Sequence, residues 1–312
     1  MDLFTRAFIV NLNDRYAVEG RLLGKRLKFR SSDECIMTIV IPTIVRKGDR
    51  VVLGVPSSLN RYGIDLNDWG GWNRCVSVDD VKTYKAWISS VLIECSSDNQ
   101  DAIPAYSEIQ KKGNSLIRAL QIINPDAICV DSDKHSTDLC VISSEVMLKL
   151  GERPQPVIHV SFSMDDQKGQ VSFVDIKHAI KNYYKPVSVP YEMLDNARVN
   201  LSRKDTRSAV LHCATAIELV LKKLIIAYLD ATVSDNSLKD FVLRQADGYF
   251  RLVELCKRCS ISLAGIPNVK ETVVDIRNRV IHGGYVPTRQ EANKAYEDTR
   301  QALAVLKTPL FE

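Results

Sequence analysis

Ala209-Val210-Leu211-His212-Cys213-Ala214-Thr215-Ala216-Ile217-Glu218-Leu219-Val220-Leu221-Lys222-Lys223-Leu224-Ile225 is the stretch that decides how the C-terminal part of the chain folds. Ala214, Ile217, Leu221 and Leu224 follow one another at alternating steps of three and four, which stacks them on one face of an α-helix. The same rhythm precedes it at Leu194, Ala197 and Leu201. It continues over 240–259 and 269–281. A last amphipathic helix is predicted over 288–306, opened by Thr288 with Glu291 three residues on, the signature of a capping box. Roughly four or five helices joined by short links predict a bundle.

Moving towards the N-terminus, Tyr183-Tyr184-Lys185-Pro186-Val187-Ser188-Val189-Pro190 carries prolines at 186 and 190, which discourage helix around them. The junction is placed here, giving domains 1–185 and 186–312. Upstream the pattern changes to short β-branched runs. Residues 35–42 and 50–55 read as strands, with Lys47-Gly48-Asp49 as a turn between them. Residues 127–130 and 138–142 read as a second pair. Residues 156–162 and 170–174 read as a third, around the polar turn Asp165-Asp166-Gln167-Lys168-Gly169. Helices are predicted over 78–93 and 106–123, the second followed by Pro125. The N-terminal part is therefore a strand-rich mixed α/β domain, and the whole chain is of the α+β class.

The 312 residues suffice for two hydrophobic cores, and 45% hydrophobic with 26% charged residues is ordinary for a globular protein. A net charge of +4 is too small for bulk polyanion binding but compatible with a local basic patch. Residues 1–11 lack the long apolar run of a signal peptide or membrane span, and Lys222 and Lys223 interrupt the longest apolar stretch. A cytoplasmic location without membrane contact is expected. The eight cysteines fall mostly inside apolar runs, as reduced core residues do.

The densest chemistry lies in Asp275-Ile276-Arg277-Asn278-Arg279-Val280-Ile281-His282-Gly283-Gly284. An always-charged guanidinium and an imidazole, a residue type that titrates near neutrality, suit metal-free phosphodiester cleavage. The plainer reading is an exposed helix end whose histidine complements the helix dipole. Asn278 and His282 are four apart and share a face. Arg277 and His282 are five apart, ~140° around an ideal helix. Either the arginine's reach closes that gap, or two copies of the chain share one phosphate.

Taken together, three parts of the sequence resemble the HEPN family (higher eukaryotes and prokaryotes nucleotide-binding). They are the Ala214–Lys223 helix with Glu218, the Arg277 to His282 motif with a polar residue directly after its arginine, and Gly283-Gly284-Tyr285-Val286-Pro287-Thr288 leading into a closing helix. The resemblance covers about residues 186–312 and implies an all-α HEPN helical bundle there. It also implies a metal-independent endoribonuclease that needs no cofactor and works as a homodimer or higher oligomer, with the motifs facing across the interface.

Under that resemblance Arg277 binds the scissile phosphate, and His282 is general base or acid at the ribose 2′-OH or the leaving oxygen. Asn278 orients the phosphate or fixes the histidine tautomer. Arg279 contacts RNA or pairs with Asp275, and Glu218 pairs with the motif arginine or serves its own helix. Some family members have a tyrosine two residues after the motif histidine that a partner nucleotidyltransferase modifies. Tyr285 stands three after and departs from that pattern. The implied setting is a toxin or an anti-phage abortive-infection effector, with a trigger or antitoxin protein as a further partner. The alternative is a non-catalytic HEPN module that binds nucleotide or mediates assembly.

The remaining motifs are weaker. Cys256-Lys257-Arg258-Cys259 lacks a second pair for zinc, and Cys129, His135 and Cys140 lack a fourth ligand. His159, His178 and His212 read as structural. Asn67-Asp68-Trp69-Gly70-Gly71-Trp72-Asn73-Arg74 reads as a rigid loop anchored by its rings before it reads as a stacking platform. No Walker loop, dinucleotide fingerprint, HExxH or nucleophile elbow is present.

Overall fold

The computed structural model describes residues 4–30, 35–47, 50–54, 70–72, 85–104, 106–129, 139–143, 147–148 and 169–312. The chain divides into two compact units, Met1–Tyr184 and Lys185–Glu312. Strands lie in the first unit and most helices in the second, an α+β composition. Among the described residues no helix is long and apolar enough to cross a membrane.

The first unit is organised by two long strands, β1 (Phe4–Glu19) and β7 (Lys85–Ser97), paired antiparallel with an irregularity between Asn11 and Tyr16. On β7's other side lie β3 (Ile36–Val40) and then β2 (Arg26–Arg30). β9 (Leu139–Ser143) and β10 (Met147–Leu148) extend the sheet beyond β1. Trp87, Leu92 and Ile93 on β7 and Met37 and Ile39 on β3 are all buried, as central strands require. β4 (Thr43–Lys47) and β5 (Arg50–Gly54) form a separate hairpin. Helices α1 (Tyr106–Ile123) and α2 (Phe173–Asn182) pack on each other.

Several expectations change here. Residues 85–93 are strand, not helix, because flanking strands satisfy β7's backbone on both sides; 78–84 lie outside the described residues. β5 pairs with β4 and not with the 35–42 strand. β8 (Ile128–Cys129) and β9 both pair with β1 and not with each other. Residues 170–174 are not a strand: Ser172 and Asp175 form a capping box that starts α2 at Phe173, leaving Val171 a single bridge to Val18. The strand predicted over 156–162, His135 and His159 lie outside the described residues. Gly70-Gly71-Trp72 forms β6 against β7, so this part of the tryptophan segment is paired strand.

The second unit is a helical bundle built around α4 (Thr206–Thr232). α3 (Val189–Ser202) lies against it after the turn at 203–205. α5 (Asn236–Gln245), α6 (Tyr249–Arg258), α7 (Asp275–Gly283) and α8 (Arg289–Val305) also contact α4. Pro190 falls in the first turn of α3, where its missing N–H costs nothing. Residues 240–259 are two helices because Gly248 takes φ 74°, a left-handed conformation that no ordinary helix continues through. The core is one cluster: Val210, Cys213, Ile217, Leu221 and Ile225 of α4 meet Leu194, Leu252, Val273, Ile276 and Leu303. Fully burying a side chain such as Ile217 or Leu221 is worth about 1.5–3 kcal/mol. Ala292, Ala295 and Ala302 of α8 are fully buried, small enough to let its backbone approach its neighbours closely. The ends of the unit are joined by Ser188, whose N–H donates to Leu310 and whose hydroxyl donates to Pro309.

Candidate functional site

Helix α7 places the motif. It follows directly on a π-helical turn at Lys270–Val274, which the sequence pattern read as ordinary helix. Such turns insert a residue and recur beside functional sites. Val273, Val274 and Ile276 are buried and anchor this segment. Arg277 and Asn278 are half-buried, while Arg279, Ile281 and His282 reach solvent. The helix stops at Gly284, whose φ of 61° is left-handed, and the N–H groups of Gly284 and Tyr285 both bond to the Arg279 carbonyl.

Arg277 Nη1 donates to Asn278 Oδ1 at 3.0 Å. No carboxylate pairs with Arg277 among the described residues, so its remaining N–H groups are available to an anion. His282 is exposed on the last turn and has no hydrogen-bond partner among the described residues. Asn278 is thus turned to the arginine and does not hold the histidine tautomer. Arg277 and His282 are not hydrogen-bonded to each other. Glu218 lies mid-way along α4, half-buried, and makes no ion pair with Arg277.

Arg279 departs furthest from expectation. Asp275 is taken by Lys270 at 3.0 Å, and Arg279 pairs with Glu291 at 3.1 Å. Its guanidinium also lies 4.2 Å from the centre of the Tyr285 ring. The Tyr285 hydroxyl donates to both Glu291 oxygens, at 2.8 and 3.0 Å. Glu291 is meanwhile the capping-box residue of α8, accepting from the Thr288 N–H at 2.8 Å and hydroxyl at 2.9 Å. The Thr288 N–H, then the Tyr285, Thr288 and Arg279 donors, hold this carboxyl down to about 2. The same contact with the Glu291 carboxylate raises the Tyr285 hydroxyl above its ordinary value. A carboxylate with so many donors must be ionised to satisfy them, and it wins Arg279 from Asp275 by being fixed in place.

Sequence reasoning missed Thr206 and Arg207. The Arg207 side chain donates from Nε to the Tyr285 carbonyl at 3.1 Å and from Nη2 to the Gly284 carbonyl. The Thr206 hydroxyl donates to the Pro287 carbonyl at 2.7 Å. The start of α4 therefore clamps the loop that follows His282. No local pattern signals contacts between residues about eighty positions apart. Asp205 caps α4, and the Ser208 hydroxyl and N–H lower its carboxyl.

The other polar candidates take structural places. His212 is half-buried, with Nδ1 2.7 Å from the Ser208 carbonyl and 3.3 Å from Asn200 Nδ2. His178 is exposed on α2. Burial pushes the Cys256 thiol up to about 11 and raises Cys259 as well, which disfavours the thiolate a metal would need. Among the described residues no group of three or more His, Cys, Asp or Glu side chains is placed to hold a metal. No family model, curated protein or solved structure matches the chain.

Proposed function

We propose that Lys185–Glu312 is a HEPN-type bundle and that the protein is a metal-independent endoribonuclease, acting as a dimer. The observation that carries this reading is the pairing of roles on one short helix: an arginine without a carboxylate partner among the described residues, and an exposed histidine one turn further on. Arg277 would bind a non-bridging phosphate oxygen and stabilise the charge that grows there in the transition state. His282 would take the proton from the ribose 2′-OH as its oxygen attacks phosphorus. The bond to the 5′-oxygen breaks, and a second imidazole, from the other copy, would protonate it. The products are a 2′,3′-cyclic phosphate and a 5′-hydroxyl, and DNA, lacking the attacking group, is spared.

The five-residue spacing supports the dimer, because side chains ~140° apart on one helix diverge. A toxin or abortive-infection effector is the proposed setting, with Met1–Tyr184 recognising the trigger or the RNA. The test is incubation of the purified protein with total RNA in EDTA beside the His282→Ala variant. Cleavage by the wild type, lost in the variant, is expected. No cleavage by either, or cleavage only with added Mg²⁺, would discard the mechanism and leave a binding or assembly module.

A further inference from the structure

The cations of the second unit divide between those that hold a carboxylate and those that do not. Arg198, Lys223, Lys239, Arg258, Lys270, Arg279, Lys294 and Arg300 each hold a carboxylate. Among the described residues Lys185, Lys222, Arg244, Arg251, Lys257 and Lys307 are exposed and hold none, and the same is true of Arg203, Lys204 and Arg289. Arg203, Lys204 and Arg289 stand, along the chain, close to one contact. Lys204 is two residues from Thr206, and Arg289 is two residues from Pro287. Thr206 and Pro287 are joined by a 2.7 Å hydrogen bond. Two residues of chain span at most about 7 Å, so the backbones of Lys204 and Arg289 lie within that distance of Thr206 and Pro287 respectively, with Arg203 next in line. His282 is two residues before Gly284, which Arg207 grips on the same clamp. Asp205, beside Lys204, is engaged in capping α4. Glu291 is already neutralised by Arg279.

We infer that Arg203, Lys204 and Arg289 form a basic ridge that carries the phosphodiester backbone of a single RNA strand away from His282. This rests on the nuclease reading for the identity of the strand, but the ridge itself follows from the placement of the charges. Arg279 is excluded from that task by its engagement with Glu291 and Tyr285, so backbone charge must be met by other groups. Phosphate contacts of this kind set affinity and register without reading sequence.

Lys204 provides a clean probe. It sits at φ 63°, where glycine is at ease, so Lys204→Gly removes the charge without straining the turn. Lys307 occupies the same kind of position, φ 51°, beyond the opposite end of α8 from Arg289, about 26 Å of helix away. The test measures binding of a fluorescent single-stranded RNA to full-length protein carrying His282→Ala, which separates binding from cleavage. One variant adds Arg203→Gln, Lys204→Gly and Arg289→Gln. A matched one adds Lys222→Gln, Lys257→Gln and Lys307→Gly. The ridge variant is expected to bind at least about tenfold more weakly and to flatten the log–log salt dependence by about 2, three phosphates at ~0.7 each. The matched variant should bind as the parent does. Equal losses in the two variants, or none in either, overturn the ridge while leaving the nuclease reading to its own assay. Ridge-dependent binding by a protein that never cleaves would keep the ridge and discard the nuclease. Absence of RNA binding in the parent overturns the ridge.

Discussion

The guanidinium of Arg279 lies 3.1 Å from the Glu291 carboxylate and covers the face of the Tyr285 ring at 4.2 Å. This relationship divides the two arginines of the motif. Arg279 is used to hold the end of α7, the loop and the start of α8 together. Arg277, two residues earlier, has only an amide as partner among the described residues and keeps its charge for something else.

Substitution should therefore separate stability from activity. Arg279→Ala loses a charge-assisted bond and a ring contact, both about half-exposed, and should cost about 1–1.5 kcal/mol in urea unfolding. Arg277→Ala should change stability by less than about 0.5 kcal/mol and lower RNA cleavage by at least about 100-fold. If instead Arg277→Ala is the destabilised variant and still cleaves RNA, the assignment of the two roles is reversed.

Glu291 predicts a stability loss in acid. Its carboxyl sits at about 2 in the folded protein, below its ordinary value of 4.5, so it binds protons more weakly when folded. Its contribution is complete above about pH 4.5 and disappears as the pH falls through about 2. Allowing for its partial exposure, about 1–2 kcal/mol is at stake. Glu291→Gln keeps the capping geometry but not the charge. Unfolding free energies of wild type and variant should differ at about pH 6 and converge near pH 2. A constant difference across that window would mean that the ionised carboxylate is not what holds the loop.

What the sequence disclosed and what it concealed follow from range. Local rules placed α1 at 106–123 and the capping box at Thr288 and Glu291, because each depends on residues close to one another in the chain. The strand β7 was hidden: residues 85–93 satisfy a helical rhythm, and the pairing that makes them a strand comes from β1, β3 and β6 elsewhere in the chain. In the site, Arg277, Asn278 and His282 were legible as a cluster on one helix. The destination of Arg279 was not, since Asp275 stood at the ideal distance and the competitor lay twelve residues away. Arg207 had no signal at all.

Arg207 tests whether the clamp matters for chemistry. Arg207→Ala removes both bonds to the Gly284 and Tyr285 carbonyls and should cost about 1–2 kcal/mol. Amide exchange at Tyr285, whose N–H closes the end of α7, should speed up. RNA cleavage should fall by about tenfold, and Arg207→Lys should recover part of it, since one donor group can still reach a carbonyl. Unchanged Tyr285 exchange in the alanine variant would show that the loop is held without Arg207.

Gly283 and Gly284 are adjacent, yet they should answer differently to the same methyl group. Neither would bring an added Cβ within 4 Å of another atom, so space does not distinguish them. Backbone conformation does: Gly283 is the last helical residue, whereas Gly284 has φ +61°. Gly283→Ala should be neutral or stabilising by up to about 1 kcal/mol, the usual gain of alanine over glycine in a helix. Gly284→Ala should destabilise by about 1–2 kcal/mol, and Gly284→Asn by less, because asparagine tolerates the left-handed region. The cap also fixes where His282 ends relative to the Arg207 clamp. Gly284→Ala should therefore reduce RNA cleavage at temperatures where the protein remains folded, while Gly283→Ala should not. Equal stability and equal cleavage in the two variants would show that the left-handed cap does not position the histidine.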